Sequence, residues 1–268
     1  MSWSARQQHM LRAMGLRVWQ PPGQALAQAL PAVAAPVPTL VKAAAPAPLA
    51  LQSLAATAQQ RGDVAILGWP ELRLRVAACT ACGLCESRTQ PVFGSGAEQA
   101  HWLVVGEAPG EQEDLKGLPF VGPSGELLDE MLGALQLTRS GNSGDTPARQ
   151  RVFIANTVKC RPPKNRNPSA DELAACEPFL LRQIELLQPR IILALGAFAI
   201  KALLRSDEPV GKLRGRLHHY QGVPVVVSYH PAYLLRQPLE KAKAWEDLCL
   251  AADTAEAAAE SADTGRPH

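Results

Sequence analysis

Several absences narrow this sequence before any motif is read. No apolar run approaches the length of a bilayer-spanning helix, so no membrane association is expected. The opening residues, MSWSARQQHMLRAMG, lack the continuous apolar stretch of an export signal, which points to a cytoplasmic protein. Neither charge sign dominates: 27 Lys and Arg face 25 Asp and Glu, a net charge of +2. Overall charge therefore argues for no nucleic-acid partner, and any basic footprint must be local. Charge is almost missing from residues 20–53, where Ala and Pro dominate. Proline recurs there too often for a stable helix and alanine is too small to build a core, so the segment reads as a linker, partly extended by its prolines.

What remains is enough for a folded domain. Of the 268 residues, 47% are hydrophobic, sufficient to build a core in one large domain or two small ones. We divide the chain into a short N-terminal peptide (1–20), an Ala/Pro-rich disordered linker (21–62), a folded domain (63–254) and a disordered tail (255–268). The peptide sets Met, Leu, Val and Trp among basic residues in HMLRAMGLRVWQP. It reads as a docking peptide for a protein partner, a marginal helix covering the main domain, or a frayed terminus.

Within the domain, four short runs are nearly continuous in hydrophobicity and rich in β-branched residues: 101–105, 151–158, 190–195 and 223–229. Such runs suit strands buried on both faces. Helical patterns occupy 70–78, 124–137, 169–187 and 197–204. The alternation predicts an α/β fold: three layers, α/β/α, around a central, mostly parallel, four-stranded sheet. In such sheets ligands bind beyond the carboxyl ends of the strands. The unusual residues of this sequence fall there.

Six cysteines, Cys79, Cys82, Cys85, Cys160, Cys176 and Cys249, in a reducing compartment suggest metal rather than disulfides. CTACGLCESRT is too polar and tightly spaced to be core. Cys79 and Cys82, with Cys160 and Cys176 far downstream, could hold a tetrahedral zinc or an iron–sulfur cluster. A zinc ribbon usually repeats C-x2-C twice, which the wide second pair does not, so spacing leans toward the cluster. Cys82 and Cys85 form an alternative first pair. Cys249 reads as a small hydrophobe on an amphipathic C-terminal helix. Ser169 and Glu172 form a candidate capping box ahead of Cys176.

GEAPG follows the first apolar run. Gly106 and Gly110 allow close backbone approach, and Glu107 could accept a proton, position water or balance a developing cation; the plainer reading is a helix-capping acid. Glu111, Glu113 and Asp114 follow, as a solvated turn or as orienting groups. Phe120, in GLPFVGPSG, is a ring on a shaped loop, suited to stacking on a planar ligand or to plugging the core. Asn156, at the end of IANTVKC, offers donor and acceptor to a nucleobase edge, or forms a turn. His230, in SYHPAYLLR, could donate to a leaving-group oxygen. Leu234 and Leu235 read as an apolar wedge or as helical core. Lys159, Arg161, Lys164 and Arg166 surround Cys160, and Lys212, Arg214 and Arg216 precede HHYQG, as local patches for phosphates or as ordinary solvated charge.

Together CTACGLCESRTQPVFGSG, VVGEAPGEQEDLKGLPFVGPSGELLDEML, FIANTVKCRPPKNRNPSADELAACEPFL, IILALGAFA and VVSYHPAYLLR closely resemble the family-four, iron–sulfur uracil-DNA glycosylases, over about residues 71–250. The resemblance implies a [4Fe–4S] cluster on Cys79, Cys82, Cys160 and Cys176, with Cys85 supernumerary. It implies catalysis by Glu107 and His230. Phe120 would stack on flipped uracil, Asn156 would read its edge, and Gly106 and Glu113 would line the base site. Lys159, Arg161, Leu234, Leu235 and Arg236 would contact DNA. The implied protein is a monomeric, nucleoid-associated repair enzyme acting on uracil-containing DNA. Two rivals stand beside it. A non-catalytic zinc or cluster DNA-binding module explains the cysteines and basic loops but not Glu107, Phe120, Asn156 and His230; a redox carrier makes the pocket superfluous.

Overall fold

The computed structural model describes residues 63–140 and 146–264, with side chains described to residue 258; the N-terminal peptide and the linker expected at 1–62 lie outside the described residues. One six-stranded sheet organises them, comprising β1 (Ser95–Gly96), β2 (Trp102–Gly106), β3 (Val152–Asn156), β4 (Ile191–Leu195), β5 (Leu217–Tyr220) and β6 (Val223–Ser228) in the order β1-β3-β2-β4-β6-β5. The inner four strands are parallel, with Val104 opposite both Ile154 and Leu193, and Leu193 opposite Val226. Every residue of β2, β3 and β4 is buried, which is why those sequences run continuously apolar.

Two short antiparallel strands extend the expected four. β1 pairs with β3, and β5 pairs with β6. β5 (LHHY) alternates exposed and half-buried residues on a sheet edge, so it carries none of the apolar continuity that marks the inner strands.

Nine helices surround the sheet among the described residues: α1 (Trp69–Ala77), α2 (Leu84–Ser87), α3 (Glu111–Lys116), α4 (Pro123–Ala134), α5 (Ala170–Leu187), α6 (Ala197–Leu204), α7 (Val210–Leu213), α8 (Pro231–Arg236) and α9 (Lys241–Thr264). One apolar core joins Leu103, Val105, Phe153, Ile192 and Val225 of the sheet to Val76 of α1, Phe179 of α5 and Ile200 of α6. α9 packs on β6 and β4. The Ser169 hydroxyl accepts from Glu172 N at 3.2 Å while Ser169 N donates to the Glu172 carboxylate at 2.7 Å, closing the capping box expected at the start of α5. The end of the chain differs from expectation. Residues 255–264, assigned to a disordered tail, continue α9, as their run of alanines favours.

The sheet order dictates where a ligand binds. From central β2 the chain crosses to β3 on one side, and from β3 back past β2 to β4 on the other. Crossovers that leave in opposite directions open a crevice at the carboxyl ends of the strands. Gly106, Asn156, Gly196 and His230 all lie at or just beyond those ends.

Candidate active site

A cavity of about 810 Å³ occupies that crevice, lined among others by Glu107, Phe120, Asn156, Gly196 and His230. Its floor is the GEAPG turn, pinned to β3. Thr157 N donates to Gly106 O at 3.1 Å, and Glu107 O accepts from Val158 N at 3.2 Å and from the Thr157 hydroxyl at 2.5 Å. Gly106 is required by its neighbours rather than by its own backbone. A Cβ there would stand 2.5 Å from Asn156 Oδ1 and 2.7 Å from the Phe120 ring. The glycine lets the amide and the ring converge.

Asn156 is 2% exposed, and its Oδ1 is buried with no hydrogen-bond partner. Buried polar atoms are almost always paired, so an orphan at the head of a cavity marks a place that a ligand completes.

Phe120 sits at φ 54°, an uncommon conformation for a bulky residue, and surrounding groups hold it there. Arg139 donates to Pro119 O and to Phe120 O, each at 2.8 Å, and pairs with Asp129 at 2.6 Å. Gly125 lets the loop lie on the first turn of α4, since a Cβ would fall 1.9 Å from Phe120 O. Glu113 clamps the same loop from the other side. Its Oε1 accepts from Val121 N at 2.9 Å and Gly122 N at 3.2 Å, and its Oε2 accepts from Gly110 N at 3.0 Å. Glu113 lines the cavity with most of its acceptor capacity spent on backbone, so it shapes the wall and joins the two loops.

His230 stacks on Phe120, ring centroids 5.4 Å apart. Its Nδ1 accepts from Ala232 N at 3.2 Å, capping α8. With Nδ1 an acceptor, the neutral ring carries its proton on Nε2. Burial, reinforced by the positive Arg236 and opposed by Glu113, lowers its pKa to about 4, so the ring is neutral at physiological pH. Burial raises the pKa of Glu107 above the ordinary carboxylate value. An aromatic face, an amide with a vacant acceptor, a neutral N–H donor and a desolvated carboxylate thus share one cavity.

The DNA-contact assignments need correction. Lys159 is 1% exposed and cannot reach a phosphate; its Nζ donates to Asn156 O at 2.9 Å and Gln183 Oε1 at 2.6 Å. It lies between Val158 and Cys160, both buried, so the chain takes its stem inward. Leu234 is fully buried, whereas Leu235 is 44% exposed. Adjacent positions on α8 lie about 100° apart, which puts the first inside and the second out, so only Leu235 can serve as a wedge. Arg166 forks onto Glu172 at 2.8 and 2.6 Å, and Arg214 is held by Glu246 and buried Asp247. Arg161 bonds to Asn165 at 2.7 Å. Lys164, Lys212, Arg216 and Arg236 remain exposed.

Cys79, Cys82, Cys85, Cys160 and Cys176 line a second, smaller cavity. Arg88 NH1 donates to Cys160 Sγ at 3.1 Å and Lys159 N to Cys176 Sγ at 3.2 Å. Five sulfurs around one space, two of them receiving N–H groups, form a donor set suited to iron–sulfur chemistry. Among the described residues no three His, Cys, Asp or Glu side chains form a single-ion metal site. Cys249 lies apart, half-buried on α9.

α3 connects the two cavities. Glu113 holds the pocket loop, while buried Asp114 accepts from Thr89 N with both oxygens at 3.0 Å, fastening the cysteine segment. Lys159 is a second link, with its backbone N–H on Cys176 and its ammonium on the Asn156 carbonyl. Sequence reasoning did not anticipate Arg139, Gly125 or Thr157. A glycine directly after PS in GPSG was the available sign for Gly125. Arg139 stands in no motif.

Comparison with known proteins places the chain among relatives. The model of the Uracil DNA glycosylase superfamily matches residues 93–249. The "Type-4 uracil-DNA glycosylase" of Pyrobaculum aerophilum is 42% identical over 182 residues, covering 64% of this chain and 87% of that protein. The protein of the same description from Thermotoga maritima is 43% identical over 164 residues, covering 60% and 80%. That of Saccharolobus solfataricus is 41% identical over 171 residues, covering 61% and 75%.

Proposed function

The chain belongs to the uracil-DNA glycosylase superfamily, on its type-4 branch, and from that premise we propose that it excises uracil from DNA by hydrolysing the bond between base and sugar. The product is an abasic site, the entry point of base excision repair, and the setting is the cytoplasm. The observation that carries this reading is the buried, unpartnered Oδ1 of Asn156, on a side chain that lines one cavity together with Phe120 and His230.

The chemistry follows from the geometry. A base inside a duplex hides its glycosidic bond and must be extruded into a pocket. Phe120 stacks on the extruded ring, and the Asn156 amide supplies both an acceptor and a donor to a pyrimidine edge. As the bond to the sugar breaks, its electron pair stays with uracil as an anion and the sugar becomes cationic. The Nε2–H of neutral His230 donates to the developing negative oxygen, a preorganised contact that strengthens only as charge appears. Glu107, ionised and desolvated, faces the cationic side, where it orients water toward the sugar carbon and takes the proton that water loses. None of the described pocket residues is a lysine, which favours simple hydrolysis over a covalent lyase route.

Cys79, Cys82, Cys160 and Cys176 would hold the [4Fe–4S] cluster. Glycosidic hydrolysis moves no electron through the protein, so a cluster held there would serve as a scaffold joining the segment around Cys79 to Cys160 and to Cys176 of α5. Anaerobic purification with an absorption spectrum tests this: a brown protein with about four irons is expected, and a colourless one with stoichiometric zinc overturns it. The activity test is incubation with single- and double-stranded oligonucleotides containing one uracil, followed by alkali. Strand breakage at the uracil is expected. No breakage above a uracil-free control overturns the assignment.

A further inference from the structure

The pocket is larger than one pyrimidine requires. Its inner end is accounted for by Glu107, Phe120, Asn156 and His230, yet the same cavity of about 810 Å³ is also lined by Tyr229, Tyr233, Val210, Gly211 and Arg236. Tyr229 and Tyr233, on either side of His230, stack on one another with ring centroids 5.0 Å apart and planes inclined by 26°. The two rings are unequal. Tyr229 is half-buried, and burial first and the neighbouring Glu240 carboxylate second raise the pKa of its hydroxyl. Tyr233 is 37% exposed, although a ring whose role was packing would be covered. Arg236, at the last position of α8, is exposed and lines the same space.

A two-ring stack that ends in an open face beside a nucleotide pocket accepts a third ring. Every base has a π-face, and aromatic platforms hold unpaired bases without reading their identity. We propose that the Tyr229–Tyr233 stack is a second base site, which takes the base next to the flipped uracil on the same strand, with Arg236 meeting the phosphate between them. The site rests on the reading of the inner pocket as a uracil site and adds to it a preference: a strand whose neighbouring base is free to unstack binds better than one held in a duplex. Gly211 stands across from the inner ring, its backbone within contact reach of the Tyr229 hydroxyl.

The test uses single-stranded oligonucleotides carrying one uracil, with the base on one side or the other replaced by an abasic spacer. Removing the neighbour on one side should raise KM about tenfold for the wild-type protein and for Tyr233→Phe, with kcat nearly unchanged. Tyr233→Ala should already show about a tenfold higher KM on the unmodified strand, and the spacer should then add less than about twofold. Tyr233→Leu keeps the bulk but not the π-face and should match Tyr233→Ala, which separates stacking from packing. Multiplying effects of variant and spacer, or an unchanged KM in Tyr233→Ala, overturn the second base site alone. Failure of the wild-type protein to release uracil from any strand overturns the underlying glycosylase reading, and the base site with it.

Discussion

The two cavities share a helix, α3, and a strand end, yet they treat polar atoms in opposite ways. Around the cysteines, polar partners are supplied: Arg88 and the Lys159 backbone donate to sulfurs, and Asp114 spends both oxygens on Thr89. In the pocket, by contrast, Asn156 keeps an unpartnered oxygen, His230 is held neutral and Glu107 is desolvated. A satisfied network has little left to offer a substrate and much to offer rigidity; an unsatisfied one is costly until something fills it. The difference separates the place where chemistry happens from the frame that holds it still. Glu113 and Lys159 are two of the places where the frame meets the pocket.

The strongest way to break that division is to remove the two groups proposed to read the base and to donate to it. Asn156→Ala and His230→Ala should each lower single-turnover uracil release by about 10²–10³-fold, while the visible absorption expected of the proposed cluster stays as in the wild type. Loss of that absorption in both variants would make these residues part of the frame and collapse the distinction.

A smaller effect concerns pH. The pKa of His230 is lowered to about 4, so the ring is already neutral across the physiological range and gives no limb near 6.5. If Glu107 acts as the proposed base it works ionised, and burial raises its pKa, so on that proposal it sets the acid limb of the rate. Glu107→Gln should lower the plateau and erase that limb, leaving only a fall near pH 4 from His230. A surviving limb above that would assign it to another group. In folding equilibria the sign is different in kind. As pH falls from 6.5 toward 4, the unfolded histidine takes up a proton that the folded one refuses, so His230 makes the protein progressively less stable over that window. His230→Asn should remove this part of the pH dependence in thermal melts.

The mildest test addresses the shared link. Lys159→Met leaves Gln183 Oε1 and the Asn156 carbonyl without their ammonium partner and should cost about 1–3 kcal/mol of stability in denaturant unfolding. If the link transmits frame to pocket, KM for a uracil oligonucleotide rises along with that loss. An unchanged KM in the folded variant would show that the two cavities are neighbours only.

The parts of this fold that could be read in the sequence were those with one dominant force. Strands buried on both faces announce themselves as apolar runs, and the Ser169–Glu172 box announces a helix start. β1 and β5 stayed hidden because edge strands bury little. Site residues at strand ends were legible because polar side chains closing apolar runs are conspicuous. Their roles in the frame were not. Lys159 was read as a surface cation although it stands among buried neighbours, and Leu234 and Leu235 were treated as a pair although adjacent helical positions face different ways. Arg166 reads in the sequence as part of a patch for phosphates or as solvated charge, whereas it forks onto Glu172 at the start of α5. In each case the deciding fact was a side-chain contact or a direction in space, and composition records neither.

The order of the sheet also bears on how the protein comes off the ribosome. β2, at the centre of the four parallel strands, is the first of them to be synthesised; β3 adds on one side, then β4 on the other, then β6 beside β4, so each strand arrives to find a free edge. No strand has to be inserted between two that are already paired, which spares the nascent chain a slow rearrangement. His230, just beyond β6, is the last of the pocket's four strand-end residues to emerge. A chain made only through β6 therefore has Gly106, Asn156 and Gly196 at its strand ends before His230 has joined them.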